Sequence, residues 1–349
     1  MNKPTNNRRH PRNIWKLALL LAVIVVALGV AVLGWLLALQ AVTLDGAAQP
    51  RIVEIDSGQS LRQIAQRLEG EGLIRHAWAF RLQAYLSNRA RRLQAGTYQL
   101  SSDMSTSEIV AALATGKFAL RKITCPEGFT LRETAQLLAR EQVCAAPAFH
   151  GAATREAVEQ ILGTILPPKA GHAEGFLFPD TYLFAVNEAP QRVVDTMITA
   201  FKDKFYDPVW VPASAHKPWG NLYQVVTLAS IVEREARVDS ERPLIAGVLL
   251  ARLGKGMPLQ ADATVEYALG VHRPLTLADL KVKSPYNTYL HKGLPPGPIC
   301  DPGLPSLKAA LNPQLTDYLF YFAPPGSQTH VFSRTFEEHS AKLKAARGR

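Results

Sequence analysis

Two glutamates, Glu233 and Glu235, lie in the stretch Leu228-Ala229-Ser230-Ile231-Val232-Glu233-Arg234-Glu235, among residues that shift a carboxyl toward proton transfer. Asn221 can cap a helix over residues 222–238, whose apolar positions 222, 225, 226, 229, 232 and 236 repeat at helical spacing. At about 100° per residue, Glu233 falls about 20° from Leu222, inside that apolar arc. A carboxyl placed there loses hydration. Val226, Ala229, Val232 and Ala236 form the kind of surround that raises its pKa into the range of a general acid. The small side chains of Ala229 and Ala236 leave room for a groove beside it. Glu235 borders a second apolar patch made by Leu228 and Ile231, so geometry alone does not dismiss it. The competing role for Glu233 is an ion pair with Arg234, Arg237 or another cation.

The loops that follow supply polar partners. Leu259-Gln260-Ala261-Asp262-Ala263-Thr264-Val265, Ser284-Pro285-Tyr286-Asn287-Thr288-Tyr289 and Gly293-Leu294-Pro295-Pro296-Gly297-Pro298-Ile299 crowd together soon after the helix. None has a core pattern, and proline and glycine fix the backbone of the third, as a wall beside a bound chain would require. Gln260, Asp262, Thr264, Asn287 and Tyr289 offer amide, carboxylate, hydroxyl and phenol groups suited to sugar hydroxyls and acetamido groups. Any of them could instead cap a turn. Glycoside hydrolysis ordinarily takes two carboxylates, and Glu233 has no evident partner in this part of the chain.

These residues need elements to hold them. At 349 residues the chain exceeds one average domain. Hydrophobic residues at 47% and charged residues at 19% exclude both a disordered chain and a polytopic membrane protein. A formal net charge of +10 invites a nucleic-acid reading. Half of that excess is Lys3, Arg8, Arg9, Arg12 and Lys16, without interleaved aromatics, so no nucleic-acid partner is expected. From Leu17 to Leu39 there is no charge, and roughly 23 residues at about 1.5 Å each give about 35 Å, enough for a single transmembrane helix. A cleaved signal would carry an apolar region of only about 7 to 15 residues and a small-residue exit, which Leu39 and Gln40 spoil. Basic residues before the span and Asp45 after it place the N-terminus in the cytoplasm. In a bacterial cell the rest then stands on the periplasmic side of the inner membrane, facing peptidoglycan.

A repeat runs through the following region. Gly58-Gln59-Ser60-Leu61-Arg62-Gln63-Ile64-Ala65 aligns with Gly128-Phe129-Thr130-Leu131-Arg132-Glu133-Thr134-Ala135, each reading as a strand followed by a capped amphipathic helix. A weaker copy starts at Ser105 and ends at Gly116. The expected fold class is mixed α+β: a cytoplasmic tip over 1–16, a span over 17–39, a glycan-binding region of small strand-helix units over 46–120, a second such unit and a linker over 121–220, and a catalytic α+β domain over 221–349. Cys125, Cys144 and Cys300 form no C-x-x-C pair, and no metal site is expected. Cys125 and Cys144, about a helix apart in an oxidising compartment, are candidates for a disulfide.

The first repeat unit, Ser57-Gly58-Gln59-Ser60-Leu61 with Ile64-Ala65, resembles the opening of a LysM module, which binds N-acetylglucosamine polymers; the competing role is a helix that only packs. The Ser230-Ile231-Val232-Glu233 stretch, Leu259-Gln260-Ala261-Asp262, Tyr286-Asn287-Thr288-Tyr289 and Gly293 to Ile299 together resemble the endolytic murein transglycosylase (YceG-like) family, as does the Glu174 to Tyr182 island. The resemblance implies a single-pass inner-membrane enzyme that cuts nascent peptidoglycan strands in contact with cell-wall synthases. It implies that Glu233, the first glutamate of the stretch, acts as general acid and then base without a cofactor, and that Glu174 contacts substrate. The chain departs from the family at Ala263, where proline usually follows the aspartate, and at Cys300-Asp301. A non-catalytic, membrane-anchored peptidoglycan-binding scaffold is the alternative. An older label for the family, aminodeoxychorismate lyase, would require pyridoxal phosphate and a cytoplasmic substrate, both disfavoured by the span.

Overall fold

A computed structural model describes residues 12–42, 50–116, 118–168, 170–213 and 220–347. Most of the expected cytoplasmic tip, and Asp45 after the span, lie outside the described residues. The chain divides into two units, Met1–Ala119 and Leu120–Arg349.

The first unit opens with α1 (Arg12–Ala38). Its Trp15–Ala38 portion has 24 residues, including an 18-residue window with a mean hydropathy of 3.0, long and apolar enough to cross a membrane. There follow β1 (Arg51–Ile55), α2 (Leu61–Gly70), α3 (Ala77–Leu86), β2 (Gly96–Leu100) and α4 (Thr106–Thr115). The strands pair antiparallel, with Arg51 opposite Leu100 and Ile55 opposite Gly96. Alternation sends Val53 and Ile55 inward, where they meet Leu68, Phe80, Tyr98 and Leu113 in a closed core. The result is a strand-helix-helix-strand unit extended by α4.

The second unit contains β3 (Leu120–Thr124), α5 (Leu131–Arg140), α6 (Ala146–Ala152), α7 (Arg155–Leu162), β4 (Thr181–Ala185), α8 (Pro190–Phe201), a π-helical stretch Lys202–Trp210, α9 (Val211–Ala213) and α10 (Leu222–Glu235). It continues with a 3₁₀ turn Asp239–Glu241, α11 (Arg242–Gly254), α12 (Asp262–Leu269), α13 (Leu304–Leu311), β5 (Phe320–Phe322), β6 (Val331–Ser333) and α14 (Phe336–Arg347). β3 pairs antiparallel with β4, and β5 with β6.

The repeat is physical at its turns. Gly58 and Gly128 both adopt positive φ, +84° and +79°, a conformation glycine enters freely. Just after them Ser60 with Gln63 and Thr130 with Glu133 form reciprocal capping boxes, as do Ser105 and Glu108 in the weaker copy. The Pro- and Gly-rich stretch from residue 146 carries α6 to α9, and residues 214–219 of the expected linker lie outside the described residues. Pro190 sits in the first turn of its helix, where no amide donor is needed, and Pro208 lies within the π-helical stretch.

α10 is apolar on nearly every side, and from Leu222 to Val232 all its residues except Gln224 are buried. It packs against α11, α12 and α13 as the central helix of the unit. It is also shorter than the sequence pattern suggests: Ala236 is extended at φ −71° and ψ 131°, so the helix stops at Glu235 rather than Val238. That ending places the two glutamates differently. The three cysteines are free thiols, so the candidate pair Cys125 and Cys144 is not joined. Cys125 is turned into the core, where burial pushes its thiol up to about 12.

Candidate active site

The last turn of α10 sends Glu233 and Glu235 to different surroundings. Glu233 is nearly enclosed, with its side chain 6% exposed. Its Oε1 accepts from Arg242 Nη1 at 3.0 Å, and its Oε2 accepts from the Gly303 amide at 2.9 Å. Arg242 is held in turn by Asp239 Oδ1 at 2.9 Å and by Ser306 Oγ. The expected acid therefore accepts at both oxygens, once from its ion-pair partner and once from a backbone amide. Ala229, expected to open a groove beside it, is buried in the core instead.

Glu235 lines an open cleft of about 770 Å³, with Ala236, Arg252, Gln260, Asp262, Tyr289 and Tyr321 on its walls. Burial pushes its carboxyl up to about 7, and the negative charge of Asp262 works in the same direction. A hydrogen bond from the Tyr321 hydroxyl and the charge of Arg234 oppose the shift without cancelling it. As the final residue of α10, Glu235 also sits at the negative end of the helix dipole, which disfavours its charged form.

Three expected site residues meet Glu235 here. Gln260 holds a left-handed φ of +53°, unusual for a residue with a side chain. Its amide donates to Thr288 O at 3.2 Å, and its Oε1 accepts from Arg252 at 2.5 Å, so the neighbouring loop and α11 maintain the strained backbone. Asp262 opens α12 and accepts from the Tyr289 hydroxyl at 2.6 Å. Ala263 occupies the first turn of α12, a place where proline is also tolerated, so its departure from the family pattern leaves Asp262 where the cleft needs it.

Thr264 and Asn287 stand behind the wall. The Thr264 hydroxyl donates to Ala261 O at 2.7 Å and lies 2.9 Å from Thr288 Oγ1. Asn287 Nδ2 donates to Leu280 O and Val282 O, both at 2.9 Å, and its Oδ1 accepts from the Tyr289 amide at 3.0 Å. Both are buried and satisfied by protein, so they shape loops rather than present groups to a ligand.

Glu174 belongs to a separate cleft of about 520 Å³, lined by Tyr223, Tyr267 and Tyr286. It accepts from the Leu131 amide at 2.7 Å, at the start of α5, and from the Tyr267 hydroxyl at 3.1 Å, and burial pushes it up to about 7. Asp301 fixes the same island by accepting from the Gly175 and Leu177 amides at 2.8 and 3.2 Å. Among the described residues, no group of three His, Cys, Asp or Glu side chains is placed to hold a metal.

Tyr321, Arg252 and His330 are cleft residues that the sequence pattern did not single out. Tyr321 and His330 belong to a short hairpin whose period is too brief to distinguish from a loop. Arg252 looks like one more cation on an amphipathic helix.

The YceG-like family matches the chain over residues 53–345. The endolytic murein transglycosylase of Bacillus subtilis is 34% identical over 301 residues, covering 82% of each chain. That of Streptococcus pneumoniae is 30% identical over 319 residues, covering 83% of this chain and 57% of its own. A crystal structure of a YceG-like protein from Listeria monocytogenes superposes with a TM-score of 0.56 at 34% identity, covering 85% of this chain and all of that one.

Proposed function

The chain belongs to the YceG-like family, and from that premise we propose that it is an endolytic murein transglycosylase, anchored by α1, whose general acid is Glu235. The observation that carries the assignment is the contrast between two glutamates two residues apart: Glu233 is paired with Arg242, whereas Glu235 faces an open cleft with its carboxyl pushed up to about 7. A group near pH 7 can hold a proton and release it. Glu235 protonates the oxygen linking N-acetylmuramic acid to the next N-acetylglucosamine. As the C1–O bond breaks, the developing positive charge at C1 is met by the sugar's own C6 hydroxyl, which closes a 1,6-anhydro ring. The carboxylate left on Glu235 is one acceptor for the hydroxyl proton. No water enters, so one carboxyl suffices where a hydrolase needs two. Gln260, Asp262 and Tyr289 provide the amide, carboxylate and phenol that orient the glycan beside it.

The strand-helix-helix-strand arrangement of the first unit supports the LysM-like reading and a second grip on glycan. The uncharged stretch 17–38 of α1, with basic residues before it, supports an inner-membrane protein whose chain after α1 lies on the periplasmic side, close to cell-wall synthases. A reporter active only in the periplasm, fused after Arg349, is expected to be active; activity confined to a cytoplasmic reporter would reverse the topology.

The catalytic reading is tested with the detergent-solubilised full chain and purified glycan strands. Mass spectrometry is expected to find new ends lighter by one water than reducing ends, and a non-catalytic scaffold would give no new ends. The pH dependence follows from the raised carboxyl. The proton is present below about 7 and lost above it, so kcat/KM should fall about tenfold per pH unit on the alkaline side. Glu174→Gln should keep that limb, which separates Glu235 from the other carboxyl pushed up to about 7.

A further inference from the structure

His330 precedes β6 and lines the same cleft as Glu235. Its ring is held from behind. Nδ1 lies 2.7 Å from Glu241 Oε2, and the His330 amide donates to both Glu241 oxygens at 2.9 and 3.2 Å. One carboxylate thus fixes both the backbone and the ring, the arrangement by which a second residue sets the tautomer of a working imidazole. With a proton on Nδ1 directed at Glu241, Nε2 is left as an acceptor, and among the described residues nothing bonds it. The Tyr321 ring stands edge-on to His330 with centroids 5.5 Å apart, and the Tyr321 hydroxyl reaches Glu235. The 3₁₀ turn Asp239–Glu241 runs straight into Arg242, so one short segment secures Glu233 on one side and His330 on the other.

We propose that His330, oriented by Glu241, is a second catalytic residue of this cleft, the base that takes the proton from the attacking C6 hydroxyl of the muramic acid. The inference rests on the transglycosylase reading and divides its proton transfers between two groups. Glu235 gives its proton to the leaving oxygen as the C1–O4 bond breaks. The O6–C1 bond forms, and the O6 proton passes to Nε2, leaving a carboxylate on Glu235 and an imidazolium on His330. Transfer of that proton through solvent restores both. The charge on the imidazolium is balanced by Glu241 behind it.

Several other charged and titratable groups line the same cleft: Glu235 and Arg237 beside the end of α10, Arg252 of α11, Asp262 of α12, Tyr321 of β5 and His339 of α14. His330→Gln and Glu241→Gln in the full chain separate the roles. Wild type should give anhydro ends almost exclusively, with the alkaline fall in kcat/KM set by Glu235. His330→Gln should fall about 10² in kcat and leak product into ordinary reducing ends as water competes with the unactivated hydroxyl. Glu241→Gln should keep the imidazole but loosen its orientation, lowering kcat and the share of anhydro ends less than His330→Gln does. The inference is overturned if either variant, folded as judged by its melting curve, keeps the wild-type kcat and the wild-type ratio of anhydro to reducing ends. Absence of anhydro ends from wild type itself would instead bring down the transglycosylase reading, and this inference with it.

Discussion

Glu235→Gln should reduce anhydro-product formation by about 10² to 10⁴, the usual worth of a positioned general acid, with glycan binding retained. The amide keeps the shape of the carboxyl and still accepts from the Tyr321 hydroxyl, but it has no proton to give at neutral pH. Folding should not suffer. A carboxyl whose folded pKa lies above its unfolded value binds protons more tightly in the native state, so its contribution to stability is present at low pH and is lost as pH rises from about 4.5 toward 7. A neutral amide escapes that loss, and the variant should melt at or above the wild-type temperature at pH 8. Co-sedimentation with glycan, a melting curve and product analysis together decide the matter. Activity within tenfold of wild type would remove Glu235 from the chemistry.

Much of what positions the site was legible in the chain. The Ser60 and Thr130 caps, the glycines before them and the central place of α10 all follow from local rules: a side-chain oxygen that satisfies orphan amides, a positive φ, an apolar pattern that goes nearly all the way round. Gln260, Asp262 and Tyr289 were readable as cleft residues because loops rich in polar side chains seldom serve a core. What helical angles could not rank was one glutamate against the other. A helical wheel assigns Glu233 to the buried face and is right about its burial, but burial alone does not distinguish a proton donor from half of an ion pair. That distinction rests on Arg242, nine residues later and beyond the helix end, and on the Gly303 amide some seventy residues away. Likewise Thr264 and Asn287 carry ligand-like groups that are spent on backbone carbonyls and a neighbouring threonine. Such partners are products of tertiary packing and leave no periodic trace.

Arg242→Met should be the most damaging single change to stability in the second unit. Arg242 and Glu233 have side chains only 10% and 6% exposed, joined at 3.0 Å, so methionine would fill much of the volume while stranding a carboxylate without its cation. Breaking a buried pair from one side typically costs about 3 to 5 kcal/mol. Here the acids would be crowded as well. Asp239 loses its partner at 2.9 Å, and Glu127, already raised by burial and by the charge of Glu233, loses the cation that offsets them. For a unit of this size the loss corresponds to a fall in Tm on the order of 10 °C. Glu233→Gln is expected to be milder, because Arg242 keeps Asp239 and Ser306, and the Gly303 amide can still donate to the amide oxygen. The double variant should recover part of the Arg242→Met loss, with a coupling of about 0.5 to 3 kcal/mol, as residues in one network do. Catalysis divides the two glutamates in the opposite sense from stability. Because Glu233 precedes Glu235 by two residues, loosening its clamp would blur the last turn of α10 and lower the rate modestly, in step with Tm. Complete loss of product formation in Glu233→Gln with an unchanged melting curve would return the acid to Glu233 and leave Glu235 as its neighbour.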